Sequence, residues 1–392
     1  MTLTEDVAQD RHPVETPEEF GARLRRWLRS ATENLAPSAT TFADRAATHA
    51  AMYDAGLFGM TWPIELGGRS LPTTYQTVFN REVAGFEWAI PDSSVTVGIC
   101  APTMADHGTP EQQARHISRM LRGDEVWTQL LSEPGAGSDL AAVSVRAIRD
   151  GDDFVLDGQK IWTSDAVEAD YALALVRTDP GRPRHGGLSM LIVPLSEPGV
   201  DIRPLRDMTG DAPFNEVFLN EARVPVANLV GRENEGWTVL TTMLRHERIA
   251  LSAGTAGARM DVDAFGALVA LARARGVLDR TDVRDTLAEV FVQQRILDIT
   301  GRRMREGLES GELQGPAGSL GKMGTAMAAR AVAEATLKIE GMEGVAWRPD
   351  DGQVARRMRE VLQFPKPGIA GGTTEIQKNV VAERLLGMPR DR

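Results

Sequence analysis

A single cysteine, Cys100, stands in 392 residues. It cannot close an internal disulfide and is too little for a zinc site, which points to a reducing compartment. We read Cys100 as a small buried apolar residue. The chain also lacks H-E-x-x-H, paired C-x-x-C, a Walker A loop, G-x-S-x-G and any internal repeat, so no metal is expected and no common nucleophile motif is at hand. No run approaches the roughly 20 apolar residues of a membrane helix. Met1 to Pro17 shows neither a basic start with an apolar stretch nor a small-residue cleavage site, so we expect a loose tail and a cytoplasmic protein with no membrane partner. An excess of basic charge is missing too. The net charge of −11 and pI near 5.2 argue against a nucleic-acid partner. What is present is ample for real cores, since 42% of the residues are hydrophobic. Chemistry must come from a cofactor or from carboxylates.

The first third reads as helix. Phe20, Leu24, Trp27 and Leu28 fall on one face. A second helix runs to a glycine C-cap at Gly56, a rigid loop follows at Trp62 to Gly68, and a third helix is expected over Thr73 to Trp88. A fourth should begin after a break at Ala101-Pro102. Thr109, Pro110 and Gln112 then spell N-cap, first helical position and capping-box partner of the next helix. Beyond Gly123 the text changes to short strands at Ala172–Thr178, Leu188–Pro194, Val200–Leu205 and Phe214–Leu219, separated by Pro/Gly turns. From Gly236 the helical period returns, with breaks near Gly276, Gly311–Gly318 and Gly341–Gly344. The fold class is therefore α+β: a tail over 1–15, an N-terminal helical domain over 16–123, a small β-barrel or sandwich over 124–235 and a helical bundle over 236–392.

Two stretches carry candidate chemistry. In Leu131-Ser132-Glu133-Pro134-Gly135-Ala136-Gly137-Ser138-Asp139, two glycines, a helix-stopping proline and flanking hydroxyls describe a loop whose backbone approaches a flat or anionic ligand. Val143, Val145 and Ala147 then alternate, Asp150-Gly151 turns the chain, Phe154 and Leu156 alternate, and a second turn is expected at Asp157-Gly158 before Lys160-Ile161-Trp162-Thr163-Ser164. A Trp closing a strand can wall one edge of a planar ring. The second stretch is Trp237 to Leu251. Leu240, Leu244 and Leu251 form a stripe in which Glu247 fills the vacant place, roughly 40° from its centre. An inward carboxylate is costly unless paired or neutral, so Glu247 is either a structural ion pair, with Arg248 or another arginine, or a working group.

The segment from Val126 to Ser164 resembles the central β-domain of the acyl-CoA dehydrogenase family, flavoenzymes that oxidise acyl thioesters. The likeness runs from Thr16 to Pro389 and includes the terminal Gly371-Gly372-Thr373-Thr374-Glu375-Ile376-Gln377. It implies FAD bound non-covalently, a C-terminal four-helix bundle, a homotetramer or dimer, and an electron-transfer flavoprotein as partner. The family's catalytic glutamate occupies one of two places. The one before the terminal motif is Gly371 here, so the resemblance assigns the base to Glu247, next to Arg248. Relatives of this arrangement are similar to those acting on branched, long or bulky acyl groups. The implied reaction removes the α-proton at Glu247 while the β-hydrogen leaves as hydride to flavin, giving a trans-2-enoyl thioester. The backbone N–H of Gly371 would hold the thioester carbonyl.

By the same resemblance, Gln129, Leu131, Ser132, Trp162 and Ser164 face the flavin ring, Ser138 and Arg248 lie on the substrate side, and Thr373 and Glu375 contact the cofactor. Arg284 resembles an arginine that reaches a neighbouring subunit's flavin pyrophosphate. Lys338-Ile339-Glu340-Gly341-Met342-Glu343-Gly344 departs from the family's glutamine and glycine-rich turn, and Arg245-His246 from its acidic or lysine residue. His246 adjoins the base in sequence but points about 100° away on a helix, as a bystander would. Two alternatives stay open: an oxidase or monooxygenase on this fold, and a non-catalytic subunit of a mixed oligomer. The sequence leaves undecided whether the acyl group rides on coenzyme A or a carrier protein.

Overall fold

The computed structural model describes residues 15–33, 41–83, 85–86, 93–182, 184–252, 264–310 and 315–390, apart from the side chains of 251, 252, 305, 308, 309 and 315. Trp88 and Leu251's side chain thus lie outside the described residues. The chain divides into two compact units, Met1–Asp92 with Ala114–Asp124, and Ser93–Gln113 with Glu125–Arg392.

The first five helices are α1 (Pro17–Thr32), α2 (Phe42–Asp54), α3 (Thr73–Glu82), α4 (Ala101–His107) and α5 (Pro110–Arg122). Capping boxes start α1 at Thr16 with Glu19 and α2 at Thr41 with Asp44. The stripe read from the sequence closes the core of the first unit, where Phe20, Leu24 and Leu28 pack with Met52, Leu57, Tyr75 and Phe79, Trp27 covering the edge. Gly56 ends α2 at φ 64°. Helix α3 stops earlier than the pattern suggested, at Glu82. Glu15, the last residue of the expected tail, is bonded to Arg23.

Position 101–102 differs from the sequence reading. The helix does not start after a break there; Thr96–Cys100 forms a π-turn that runs straight into α4, with the Ala101 N–H reaching back to the Thr96 carbonyl. Pro102 has no N–H to offer the preceding turn, and the wider turn absorbs that missing bond without interrupting the helix. Helix α5 begins as expected: Thr109 N–H donates to Gln112 Oε1 at 3.0 Å and Gln112 N–H to Thr109 Oγ1 at 3.2 Å.

Strands β1 (Trp127–Leu130), β2 (Arg146–Asp150), β3 (Asp153–Ser164), β4 (Tyr171–Arg177), β5 (Leu188–Pro194), β6 (Val200–Leu205), β7 (Phe214–Pro225) and β8 (Leu229–Val230) form one sheet ordered β6-β7-β3-β2-β4-β5-β8, with β1 parallel to β4. Leu130, Val145, Phe154, Leu156, Val217 and Leu219 are among the residues that bury one face. The expected turn at Asp157-Gly158 is a correction: β3 continues through it. Its pairing with β7 shifts register between Leu156 and Asp157, a β-bulge. A Cβ on Gly158 would stand 2.8 Å from Val145 Cγ2. The glycine permits close approach of β2 and β3 and does not reverse the chain.

The C-terminal part is helical: α6 (Gly236–Ser252), α7 (Ala264–Ala274), α8 (Thr281–Glu309), α9 (Gly318–Glu340), α10 (Met342–Val345), α11 (Gln353–Gln363), α12 (Lys366–Ile369) and α13 (Thr374–Val380), the last running into a π-turn at Val381–Leu385. Leu268, Ala272, Val283, Leu287, Val290, Ala335 and Ile339 pack α7, α8 and α9 together. Helix α6 lies against the π-turn, α4, β4, β5 and α9, which places Glu247 between sheet and bundle.

Candidate active site

All of the sequence-predicted site residues lie in the second unit. The π-turn joins two of their elements. Thr96 Oγ1 donates to the Trp127 carbonyl at 3.1 Å and accepts from the Trp127 N–H at 2.9 Å, fixing β1. Gly98 meets α6 so closely that a Cβ there would stand 3.3 Å from Ala250 Cβ. The strand that carries Gln129 and the helix that carries Glu247 thus share one bracket. The sequence offered Pro102 as its signal, and the signal was read as a break.

The loop after β1 rests on a buried ion pair. Lys160 Nζ donates to Glu133 Oε1 at 2.8 Å, the Leu131 carbonyl at 3.0 Å and the Leu175 carbonyl at 2.6 Å, which uses all three of its protons. Glu133 accepts three more bonds, from Ser144 N–H, Ser144 Oγ and Val145 N–H. Burial opposes both charges. It brings the ammonium down to about 8, against the opposing pull of Glu133. On the carboxyl, burial is outweighed by the Lys160 charge and hydrogen bond and by the Ser144 and Val145 N–H groups, so Glu133 is held below its ordinary range. Both partners are therefore charged at neutral pH, and the lysine bears the larger desolvation. Above this base, Glu133 and Ala136 exchange backbone bonds around Pro134-Gly135, and Ile161 N–H donates to the Ser132 carbonyl at 3.0 Å. Gly135 and Gly137 have no left-handed φ, and a Cβ on either would touch nothing within 4 Å. Neither strain nor crowding within the chain calls for glycine there. Ser138 is exposed beside them, and Leu131 and Ser132 are half-buried.

A second register shift in β3, between Lys160 and Thr163, places Trp162 on a bulge. Its φ of 64° is uncommon for a residue with a large side chain, and the indole is 58% exposed, edge-on to Phe214. Ser164 carries the carbonyl that accepts from Thr128 Oγ1 at 2.8 Å. Between these lie two buried polar atoms without a hydrogen-bond partner, Gln129 Nε2 and Thr163 Oγ1. Orphaned buried polar atoms are uncommon in a finished core; Asn215 Nδ2, Ser319 Oγ, Arg359 Nε and Gln377 Oε1 are others among the described residues. Of the two hydroxyls that follow Trp162 in the sequence, the resemblance gives only Ser164 a cofactor contact; the buried one is Thr163.

On α6, Leu240 is buried and Leu244 half-buried, with Glu247 half-buried beside them. Protein crowds the carboxyl closely enough that desolvation pushes it above the ordinary glutamate range, against the counter-pull of Arg248 and Lys322. Arg248 is held against α9, where a Cβ on Gly318 would lie 3.4 Å from Arg248 Cβ. His246 and Arg245 point to a common partner, Asp106 Oδ2, at 2.8 and 3.1 Å. Lys322, on the facing helix α9, was not singled out from the sequence, although it is a lone cation among Gly318, Ser319, Gly321, Met323 and Gly324.

The Gly371-Gly372 turn completes the cluster. Both residues have left-handed backbones, φ 67° and 87°, which only glycine adopts cheaply. The buried Gln377 amide donates to the Gly371 carbonyl at 3.0 Å, a role the motif did not reveal. No hydrogen bond from the Gly371 N–H is found among the described residues. The Thr373 hydroxyl caps α13, accepting from Ile376 N–H. The exposed Glu375 carboxyl is held low by its own N–H and by Thr373. Upstream of the turn, Lys366 Nζ lies 5.0 Å from the Phe214 ring that borders Trp162, and Lys322 Nζ donates to the Pro367 carbonyl. Glu247, Lys322, the α12 turn and the Trp162 bulge are thus neighbours in one network. Arg284 is not drawn into it; it is exposed on α8. In the departing segment, Lys338 Nζ donates to Thr286 Oγ1 at 2.8 Å on α8, and buried Glu340 is bonded by Arg275 and Arg357. Its polar groups serve contacts within the chain.

Domain profiles of one family match the chain in three consecutive stretches: acyl-CoA dehydrogenase N-terminal domain over residues 15–124, middle domain over 128–222 and C-terminal domain over 234–386. The chain belongs to the acyl-CoA dehydrogenase family. It is 36% identical to acyl-CoA dehydrogenase IpdE1 of Mycobacterium tuberculosis over 396 residues, covering 95% of this chain and 98% of that protein. Among solved structures it is similar to the Tcur3481-Tcur3483 steroid ACAD, at 32% identity and TM-score 0.80 over 97% of this chain and 99% of that one. It is also similar to the ChsE4-ChsE5 complex from Mycobacterium tuberculosis, at 29% identity and TM-score 0.79 over 97% and 100%. Acyl-CoA dehydrogenases are flavoprotein oxidoreductases acting on CH–CH bonds. Helical, β and helical domains follow one another as in the family. Among the described residues no helix is long and apolar enough to cross a membrane, and no cluster of metal-ligating side chains is found.

Proposed function

We propose that this chain dehydrogenates a bulky acyl-CoA thioester at Cα–Cβ, with FAD held against β1, the Ser132–Ser138 loop and the Trp162 bulge. The observation that carries the proposal is Glu247 itself: a carboxyl on α6, desolvated toward a higher affinity for protons, and linked through Lys322 to the Pro367 carbonyl in the short helix that leads into Gly371. The orphaned Gln129 and Thr163 donors and the unfilled space over Gly135 and Gly137 fit a planar ring with polar edges. Bound there, FAD supplies the two-electron acceptor for the hydrogen lost from Cβ. Every other task falls to side chains and backbone of this chain. Glu247 takes the α-proton on its carboxylate oxygen, its raised affinity matching it to a weak carbon acid. The Gly371 N–H donates to the thioester carbonyl oxygen as enolate charge builds there. Trp162 shields one edge of the ring, and Gln129, Leu131, Ser132 and Ser164 line it. Ser138 and Arg248 border the acyl and coenzyme side, and Thr373 and Glu375 flank the cofactor from α13.

A second copy fits the bundle. Val292, Ile296 and Ile299 form an exposed stripe on α8, joined by Leu320 and Met327 on α9, and the exposed Arg284 on the same α8 is free to reach a cofactor in that copy. The paired names of the similar Tcur3481-Tcur3483 and ChsE4-ChsE5 proteins make a related chain the alternative occupant. An electron-transfer flavoprotein is the proposed electron acceptor. The test is an anaerobic screen of acyl-CoA thioesters of increasing bulk, following loss of flavin absorbance. Bleaching by a bulky thioester and not by butyryl-CoA supports the reading; no bleaching by any of them in flavin-replete protein contradicts it.

A further inference from the structure

Lys322 is 6% exposed, in the first turns of α9, where its neighbours Gly318, Ser319, Gly321, Met323 and Gly324 are small or apolar. A lysine that deeply buried needs a reason, since burial works against its ammonium. Two partners surround it. Its Nζ donates to the carbonyl of Pro367, in the short helix α12 that leads into Gly371. Across the α6–α9 contact it interacts electrostatically with Glu247.

We propose that Lys322 is a positioning residue for the proton acceptor: its one ammonium both balances the Glu247 carboxylate and tethers the turn whose backbone faces the substrate carbonyl. The inference rests on the reading of Glu247 as the base. Base and carbonyl-binding turn come from helices far apart in sequence, and a single cation spanning both holds them in register.

The charged groups around Glu247 leave that task to Lys322. Arg248 shares its helix but also faces Arg245 and Arg384, and packs against Gly318. On α4, Asp106 is occupied by Arg245 and His246, and His107 bonds Thr242. From α9 the cation is Lys322, whose own proton affinity is lowered by burial and supported by Glu247.

The test uses the flavin-loaded protein without substrate. The protonated-carboxyl infrared band that disappears in Glu247→Gln is titrated in wild type, Lys322→Met and Lys322→Arg. Removing the ammonium should raise the Glu247 midpoint by about 1 pH unit or more, a tenfold change in proton affinity, and arginine should restore most of it. An unmoved midpoint in folded Lys322→Met overturns the proposal. Should that variant not fold, the reciprocal measurement decides. The chain has five lysines, so with 13C at the lysine ε-carbon the Lys322 signal can be followed. Its midpoint should fall in Glu247→Gln, and an unchanged midpoint overturns the coupling. Flavin bleaching by Glu247→Gln would remove the base reading instead, and is read in a different assay.

Discussion

Replacing Lys160 by methionine tests whether the ligand loop depends on its buried base. Methionine matches the length of the stem and packs adaptably, so the perturbation is loss of the ammonium. Three hydrogen bonds go with it, to Glu133 and to the Leu131 and Leu175 carbonyls. Removing one partner of a buried pair costs about 3–5 kcal/mol. Here the stranded carboxylate keeps Ser144 N–H, Ser144 Oγ and Val145 N–H, and the lysine was the more desolvated partner, which places the loss near 3 kcal/mol. At about 2–4 °C per kcal/mol, that is a fall of roughly 6–12 °C in melting temperature. Leu131 also loses its tether next to Ser132, so the purified variant should hold less flavin, read from its absorbance against protein. Adding Glu133→Gln removes the stranded charge and should recover part of the loss, a coupling above about 0.5 kcal/mol. A melting temperature within about 2 °C of wild type, with full flavin, would refute the reasoning.

Gly372→Ala forces a left-handed φ of 87° on a residue with a Cβ, 2.6 Å from Gln377 Nε2; a loss of about 1–2 kcal/mol in chemical denaturation, with a slower reaction, is expected. Arg284→Ala should leave the melting temperature of the apoprotein unchanged and weaken flavin retention on dilution. The raised proton affinity of Glu247 has two consequences. kcat/KM should fall on acidification above the ordinary glutamate value of about 4.3, as the carboxylate is lost. For stability the sign is reversed: a carboxyl that binds its proton more tightly when folded contributes fully below the unfolded pKa and loses that contribution as pH rises through the folded one. Glu247→Gln should therefore melt higher than wild type at neutral pH, with the difference gone near pH 4.

Local patterns were the legible part of the sequence. The Thr109–Gln112 capping box and the Phe20–Leu28 stripe are settled within one or two turns of helix, and both are in the structure. Asp157-Gly158 and Ala101-Pro102 carried the right residues and the wrong reading, because a glycine needed for strand contact and a proline absorbed by a π-turn look like turn and break until their neighbours are known. Lys322 acts through contacts with segments distant in sequence, the Pro367 carbonyl and Glu247, which no local window displays. The proposed role of Glu247 draws on the vacancy in the leucine stripe together with the family resemblance, whose alternative position is Gly371 here.

The most direct measurement is anaerobic reduction of the bound flavin by a bulky acyl-CoA in wild type and Glu247→Gln. The account predicts that the variant keeps its flavin and fold while bleaching slows by about 10²–10⁴-fold. Bleaching at the wild-type rate would show that the α-proton goes elsewhere and contradict the assignment.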